Sequence, residues 1–167
     1  MEITRLTDTS VKIKTKTASL VIDPNMKAEA EVILTVVPGE VNESVITNNR
    51  IVIDGPGDYE IMDVAIQGVK YGDFLGYKID DGIARLLIAP STAIDKVKDE
   101  EGISALLIKA VEAFDIEKVT SFSPSVCLVF GDPMLLDHAM EAKKSPKVNI
   151  RKIDESLSGQ VVVLQKE

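Results

Sequence analysis

The first half of the chain is patterned on a two-residue period. Val11 and Ile13 are apolar where Lys12 and Lys14 are charged, as in a strand with one buried face. Short strands of this kind are predicted at 1–6, 10–14 and 19–22. The turn-prone Thr7-Asp8-Thr9 and Lys16-Thr17 separate them, and Asp23-Pro24-Asn25 ends the third. Residues 31–37 are nearly continuous in apolar and β-branched side chains, which predicts a strand buried on both faces, stopped by Pro38-Gly39. A meander follows, with strands at 50–53, 59–61, 64–68, 75–79 and 83–88. Its turns are Gly55-Pro56-Gly57, Met62-Asp63 and Asp80-Asp81-Gly82.

The second half changes period. Ile103, Leu106, Leu107, Ala110, Val111 and Phe114 recur at helical spacing, predicting an amphipathic helix over 102–114. A second helix is predicted over 132–143, with Asp132 as N-cap and Pro133 in the first turn. Its apolar side is Leu135, Leu136, Ala139 and Met140. Strands at 117–122, 125–130, 148–153 and 160–164 complete the list. With no linker, repeat or low-complexity stretch, 1–167 reads as a single α/β domain of layered sheets with helices outside.

Composition narrows the function classes. With 45% apolar residues in 167, a core forms without disulfides or a structural metal. The net charge of −8 argues against nucleic acid or an anionic membrane as partner. The densest basic stretch, Lys143, Lys144, Lys147, Arg151 and Lys152, is interrupted by Pro146 and reads as solvated surface. No apolar run approaches the roughly 18 residues of a membrane span, and no secretory leader is evident. The single Cys127, inside Val126-Cys127-Leu128-Val129-Phe130, reads as a small buried hydrophobe, and a cytoplasmic setting is expected.

The order of elements resembles the metallo-β-lactamase superfamily, closest to its small Zn-dependent hydrolase-like branch. The resemblance is carried by the opening strands through Leu20-Val21-Ile22-Asp23-Pro24 and by Ala30-Glu31-Val32-Ile33-Leu34-Thr35. Its most specific piece is Ile53-Asp54-Gly55-Pro56-Gly57-Asp58-Tyr59-Glu60-Ile61, similar to a Gly-Pro-Gly-Glu-Tyr-Glu element of that branch. The closing Val161-Val162-Val163-Leu164 is similar to the family's last strand. The resemblance implies a metallo-β-lactamase-like αββα sandwich with a strand-rich N-terminal half. It also implies a His-x-His-x-Asp-His metal motif after Thr35, where this chain has Val36, Pro38, Glu40 and Val41. Valine and proline supply no ligand atom, and zinc needs imidazole, thiolate or carboxylate. The later family ligands would fall in Gly68-Val69-Lys70-Tyr71-Gly72-Asp73, near Ile88-Ala89-Pro90 and near Phe122-Ser123-Pro124-Ser125, where no histidine or matching acid stands. Asp23 is the one family-like functional residue kept. It reads first as a turn aspartate bonded to backbone amides.

Other chemistry is thinner. No helix with Lys-Ser/Thr follows Gly55-Pro56-Gly57, so a phosphate loop is not expected. Asp54, Asp58, Glu60 and Asp63 surround that turn and offer oxygen ligands for Ca²⁺ or Mg²⁺, but water-facing strand positions are the favoured reading of them. Ser91 and Ser123 each adjoin a proline and lack a visible base, and the lone His138 falls inside the second predicted helix. The expectation is therefore a non-catalytic binding or assembly module, with no cofactor and no metal. A protein partner or homodimer formed through 160–164 is expected. The alternative is a hydrolase with a non-standard metal site drawn from Glu40, Asp23 or Asp58.

Overall fold

The computed structural model describes residues 1–39, 43–45, 51–119, 126–139, 142–150 and 159–166. Five strands open the chain: β1 (Glu2–Arg5), β2 (Val11–Lys14), β3 (Ser19–Ile22), β4 (Val32–Leu34) and β5 (Ile51–Ile53). They form a six-stranded sheet in the order β15-β1-β2-β3-β4-β5, where β15 is Lys147–Asn149. The first three strands run antiparallel, and β3, β4 and β5 run parallel.

The meander supplies β6 (Gly57–Ile61), β7 (Val64–Tyr71), β8 (Phe74–Asp80) and β9 (Arg85–Pro90), all antiparallel. The second half adds β10 (Ala105–Lys109), β12 (Val126–Phe130), β14 (Lys143–Ser145) and β16 (Gln160–Leu164) in parallel. Together these give an eight-stranded sheet ordered β14-β16-β12-β10-β9-β8-β7-β6. A two-stranded parallel ribbon joins β11 (Phe114–Asp115) to β13 (Leu136–Asp137).

The expected alternation is what packs the sheets. Ile3, Val11, Ile13, Leu20 and Ile22 of the first sheet meet Ile66, Tyr77, Ile79, Leu86, Ile88, Leu107 and Leu128 of the second in one buried core. The outer face of the larger sheet carries Leu87, Leu106, Ile108, Cys127, Val129 and Val163. It is covered by Ile94, Val97, Ile116 and Val119 from short helical turns and by Phe114 of β11. Val21 and Ile33 form a smaller cluster with Ala30 on the outside of the other sheet. The αββα layering is present, but its helical layer is slight. Among the described residues the one α-helix is α1 (Ile94–Val97), preceded by a 3₁₀ turn at Ser91–Ala93.

The strand meander stands as expected over 51–90, and β7 runs on to Tyr71, three residues past its expected end. Met62 and Asp63 take φ of 51° and 61°, the paired left-handed values of a tight hairpin. At the next turn Asp80 Oδ1 accepts from the Gly82 amide at 2.8 Å and Asp81 Oδ1 from the Ala84 amide at 2.9 Å.

Both expected helices are corrected. The segment 102–114 holds β10, with Ala105, Leu106, Leu107, Ile108 and Lys109 all buried. A strand covered on both faces is apolar at every position, so helical spacings occur within it by default. Over 132–143, Asp132 does cap, accepting from the Met134 amide at 2.9 Å. The helix stops after one 3₁₀ turn, Pro133–Leu135, because Leu136 and Asp137 pair with Phe114 and Asp115 instead. His138 then adopts φ of 58°, which leaves the helical path. The expected strand at 117–122 is, in its described part, the 3₁₀ turn Ile116–Val119, and its remainder lies outside the described residues. The strand expected at 148–153 begins one residue earlier, as Lys147–Asn149, and 151–153 are likewise outside.

The segment 160–164 is a strand, but not an edge. It lies between β12 and β14, with Val162 and Leu164 wholly buried. Val162 and Val163 pair on both sides, so the strand presents no open edge there to a second copy.

Candidate functional site

The C-terminal ends of parallel strands leave carbonyl groups and loops at one rim of a sheet, where ligands of open α/β folds commonly bind. Here the end of β3 meets the end of β10, and the end of β1 meets those of β12 and β16, across the sandwich. The meeting is made by polar side chains that span the two sheets.

Asp23 follows β3 directly, at φ of 41°, a left-handed value that aspartate tolerates better than most residues. Its amide donates to the Leu34 carbonyl at 2.9 Å, and its Oδ1 accepts from the Val36 amide at 2.9 Å. The carboxylate bonds a backbone amide, as the turn reading expects, but that amide is Val36, 13 residues on, and the bond is only half of the residue's role. Its Oδ2 takes a short hydrogen bond from Lys109 Nζ. Each of these side chains is 6% exposed. Lys109 sits at the end of β10, in register with Pro90 of β9 and Phe130 of β12, on the same face as Ala105 and Leu107. Burial pushes the Asp23 carboxyl above its usual range, and the Lys109 ammonium is the largest influence pulling it back.

The surroundings are equally closed. Tyr77 on β8 points its hydroxyl at the Thr35 and Ile53 carbonyls, at 2.8 and 3.0 Å. Burial raises that phenol to about 12, so it serves as a neutral donor. Among the described residues the buried Thr35 hydroxyl has no hydrogen-bond partner. The Leu75 amide donates to the Val36 carbonyl at 2.8 Å, tying the loop after β4 to the second sheet. A second buried cation, Arg5, closes the same rim: Nη1 donates to the Leu164 carbonyl, and Nη2 to the Gly131 carbonyl and to Asp8, both at 2.8 Å.

This rim does not fit the zinc site that the resemblance implies. Val36 is buried and apolar, Pro38 has no donor, and Asp23 has both oxygens engaged. A lysine ammonium stands against the one retained carboxylate, and its charge opposes a divalent ion there. Glu40 and Val41 lie outside the described residues, as do Ser123 and 122–125 as a whole. Residues 68–73 form the end of β7 and a hairpin turn, and Ile88, Ala89 and Pro90 are the buried end of β9.

Other candidates resolve one by one. Asp58 bonds to Gln67 at 3.0 Å across the β6–β7 pair. Asp54, Asp58, Glu60 and Asp63 do not converge as a three-ligand group. Ser91 Oγ accepts from the Val111 amide, a structural bond. Cys127 is buried on the outer face of β12, and burial raises its thiol to about 12, so it is no nucleophile at neutral pH.

One arrangement was not legible in the sequence. Pairing of β11 with β13 brings Asp115 beside His138, with Nδ1 to Oδ1 at 2.9 Å. The Glu117 carboxylate joins them, and the three ligand atoms lie within 4.8 Å of one another. The Glu117 amide and then the His138 ring hold the Asp115 carboxyl below its usual range. No spacing rule links residues 115, 117 and 138. Only the ribbon places them together.

No family model matches the sequence, and no curated protein is a detectable relative. Solved structures do match in fold. A candidate Zn-dependent hydrolase of the metallo-β-lactamase superfamily from Thermotoga maritima superposes with a TM-score of 0.72 at 17% identity, over 98% of both chains. A candidate metal-dependent hydrolase from Parabacteroides distasonis gives 0.58 at 15% identity, over 99% of this chain and 93% of that one. The metallo-β-lactamase fold protein YhfI from Bacillus subtilis gives 0.53 at 9%, over 94% and 88%. This chain therefore has the metallo-β-lactamase fold.

Proposed function

We propose that this chain is a non-catalytic protein of the metallo-β-lactamase fold, one domain across 1–167, that acts as a binding or assembly module. The buried Asp23–Lys109 pair carries this reading. It places a fixed cation at the rim where hydrolases of the fold need ligands for a metal, beside Val36 and Pro38, which offer none. A chain that keeps the scaffold and fills its cleft with an internal ion pair retains surfaces rather than chemistry. The edge strand β5 supports the assembly half: Ile51 and Val52 are 46% and 38% exposed, and among the described residues no strand pairs beyond it. A second copy of the chain is the simplest occupant. No helix among the described residues is long and apolar enough to cross a membrane. With the cysteine buried and unreactive, a reducing cytoplasmic setting suits the protein.

The test is a hydrolysis screen with ester, β-lactam, thioester and phosphodiester model substrates, with Zn²⁺ or Mn²⁺ added, run beside sedimentation of the intact protein. The expected result is no turnover above buffer and a dimer at tens of micromolar. Metal-dependent turnover that Asp23→Asn abolishes would establish the alternative, a hydrolase with a non-standard metal site. A monomer throughout would remove self-assembly from the proposal.

A further inference from the structure

Outside the family rim, the strongest chemical grouping is on the ribbon that covers the larger sheet. Asp115 ends β11, Glu117 is the second residue of the 3₁₀ turn that follows, and His138 follows β13, so two separate segments contribute ligands. The contact between Asp115 Oδ1 and His138 Nδ1 is 2.9 Å, and all three ligand atoms fall within 4.8 Å. Adjacent ligands of an ion with bonds of about 2.1 Å stand roughly 3 Å apart, so small rotations close the set. A cavity of about 460 Å³ opens at the same place, with Glu117 and His138 on its wall beside Lys143 and Gln160. It leaves room for the exchangeable water that an open metal site holds.

We propose that Asp115, Glu117 and His138 form a divalent transition-metal site at the mouth of this cavity. The donor set selects the ion class. Two carboxylates alone would suit Mg²⁺ or Ca²⁺, whereas an imidazole shifts preference to Zn²⁺, Ni²⁺ or Co²⁺. The ligands are partly exposed, with His138 at 47% and Asp115 at 33%, so the ion is exchangeable rather than structural. Metal entry replaces the Asp115–His138 hydrogen bond with two coordinate bonds to the same atoms. The site lies on the outer layer of the larger sheet, and Asp23 and Lys109 take no part in it.

The chain contains one histidine, which makes the experiment unambiguous. The intact protein is titrated with Zn²⁺ and followed by the ring ¹⁵N resonances of His138, and separately with Co²⁺ by visible absorption. One equivalent should bind, the ring nitrogens should shift, and His138→Ala should weaken binding by more than about tenfold. Asp115→Asn and Glu117→Gln should each weaken it, while Asp58→Asn should leave it unchanged. Circular dichroism of each variant separates loss of the site from loss of the fold, and the two carboxamide variants keep the test open if His138→Ala unfolds. Unmoved His138 resonances at one equivalent of Zn²⁺, or undiminished Co²⁺ binding by the folded variants, would overturn the proposal. Either result leaves the reading of the Asp23–Lys109 rim untouched.

Discussion

Replacing Lys109 by methionine keeps most of the side chain's length and removes its charge. Asp23 then loses its charged partner but keeps the Val36 amide, and its carboxylate stays in a pocket where it is 6% exposed. Breaking a buried pair by deleting one partner costs about 3–5 kcal/mol, because the remaining charge is uncompensated. That is a large fraction of the 5–15 kcal/mol typical of a whole domain, so the variant should fold at 25 °C but denature at much lower urea. The pH dependence has a definite sign. The Asp23 carboxyl already titrates above its ordinary 3.8, through burial, and losing Lys109 raises it further. A carboxyl whose folded pKa exceeds its unfolded value favours folding below the unfolded pKa, and that contribution is lost as pH rises through the folded pKa. The deficit of Lys109→Met is therefore largest at neutral pH and shrinks on acidification. Adding Asp23→Asn should recover part of the loss, since asparagine accepts the left-handed backbone and still bonds the Val36 amide. Urea unfolding of both singles and the double, at neutral and acidic pH, gives the coupling energy directly. A loss under about 1 kcal/mol for Lys109→Met, or one indifferent to pH, would show that the pair is not the buried link described.

Three further outcomes are expected. Val162→Lys places a charge at a wholly buried position of an interior strand, so it should unfold the protein rather than release a monomer, as unfolding and sedimentation together would reveal. Cys127 should resist a thiol reagent in the native protein and react only on unfolding, so its labelling rate should track denaturant; fast native labelling would place it at the surface. The Asp80 carboxyl is held below its usual 3.8 mainly by Arg85, so its small contribution is present above that value and is lost as pH falls through the folded pKa. An NMR titration should show Arg85→Ala moving its pKa upward.

The strands of the first half were legible because one face of each is wet or bounded by turn residues, as in Val11-Lys12-Ile13-Lys14. The central parallel strands were not. In β10 both faces are covered and the four residues before Lys109 are all apolar, so Leu106 and Leu107 point to opposite cores although the sequence treats them alike. The helix expected after Asp132 failed for a different reason: its cap is real, but pairing with β11 is tertiary and leaves no trace in local spacing. Val36 and Pro38 offer no ligand atom, which is read from the residue types directly. That Lys109 would meet Asp23 is not written in local spacing, since 86 residues separate them and Lys109 falls within the segment expected to be a helix.

The Arg5 clamp sets a timetable for the chain. Its guanidinium is satisfied only when the carbonyls of Gly131 and Leu164 are in place, the latter 159 residues away. β1 also waits for β15 on its free side. During synthesis, at roughly 5–20 residues per second, the first strand emerges long before either partner exists. Until then Arg5 must remain hydrated and the β1 edge unpaired, so the opening hairpins cannot reach their final burial by themselves. Closing such distant contacts is slow in itself. The nascent chain therefore passes through a stage with apolar Ile3 and Ile13 uncovered, when it is most exposed to chaperones and to pairing with the wrong edge.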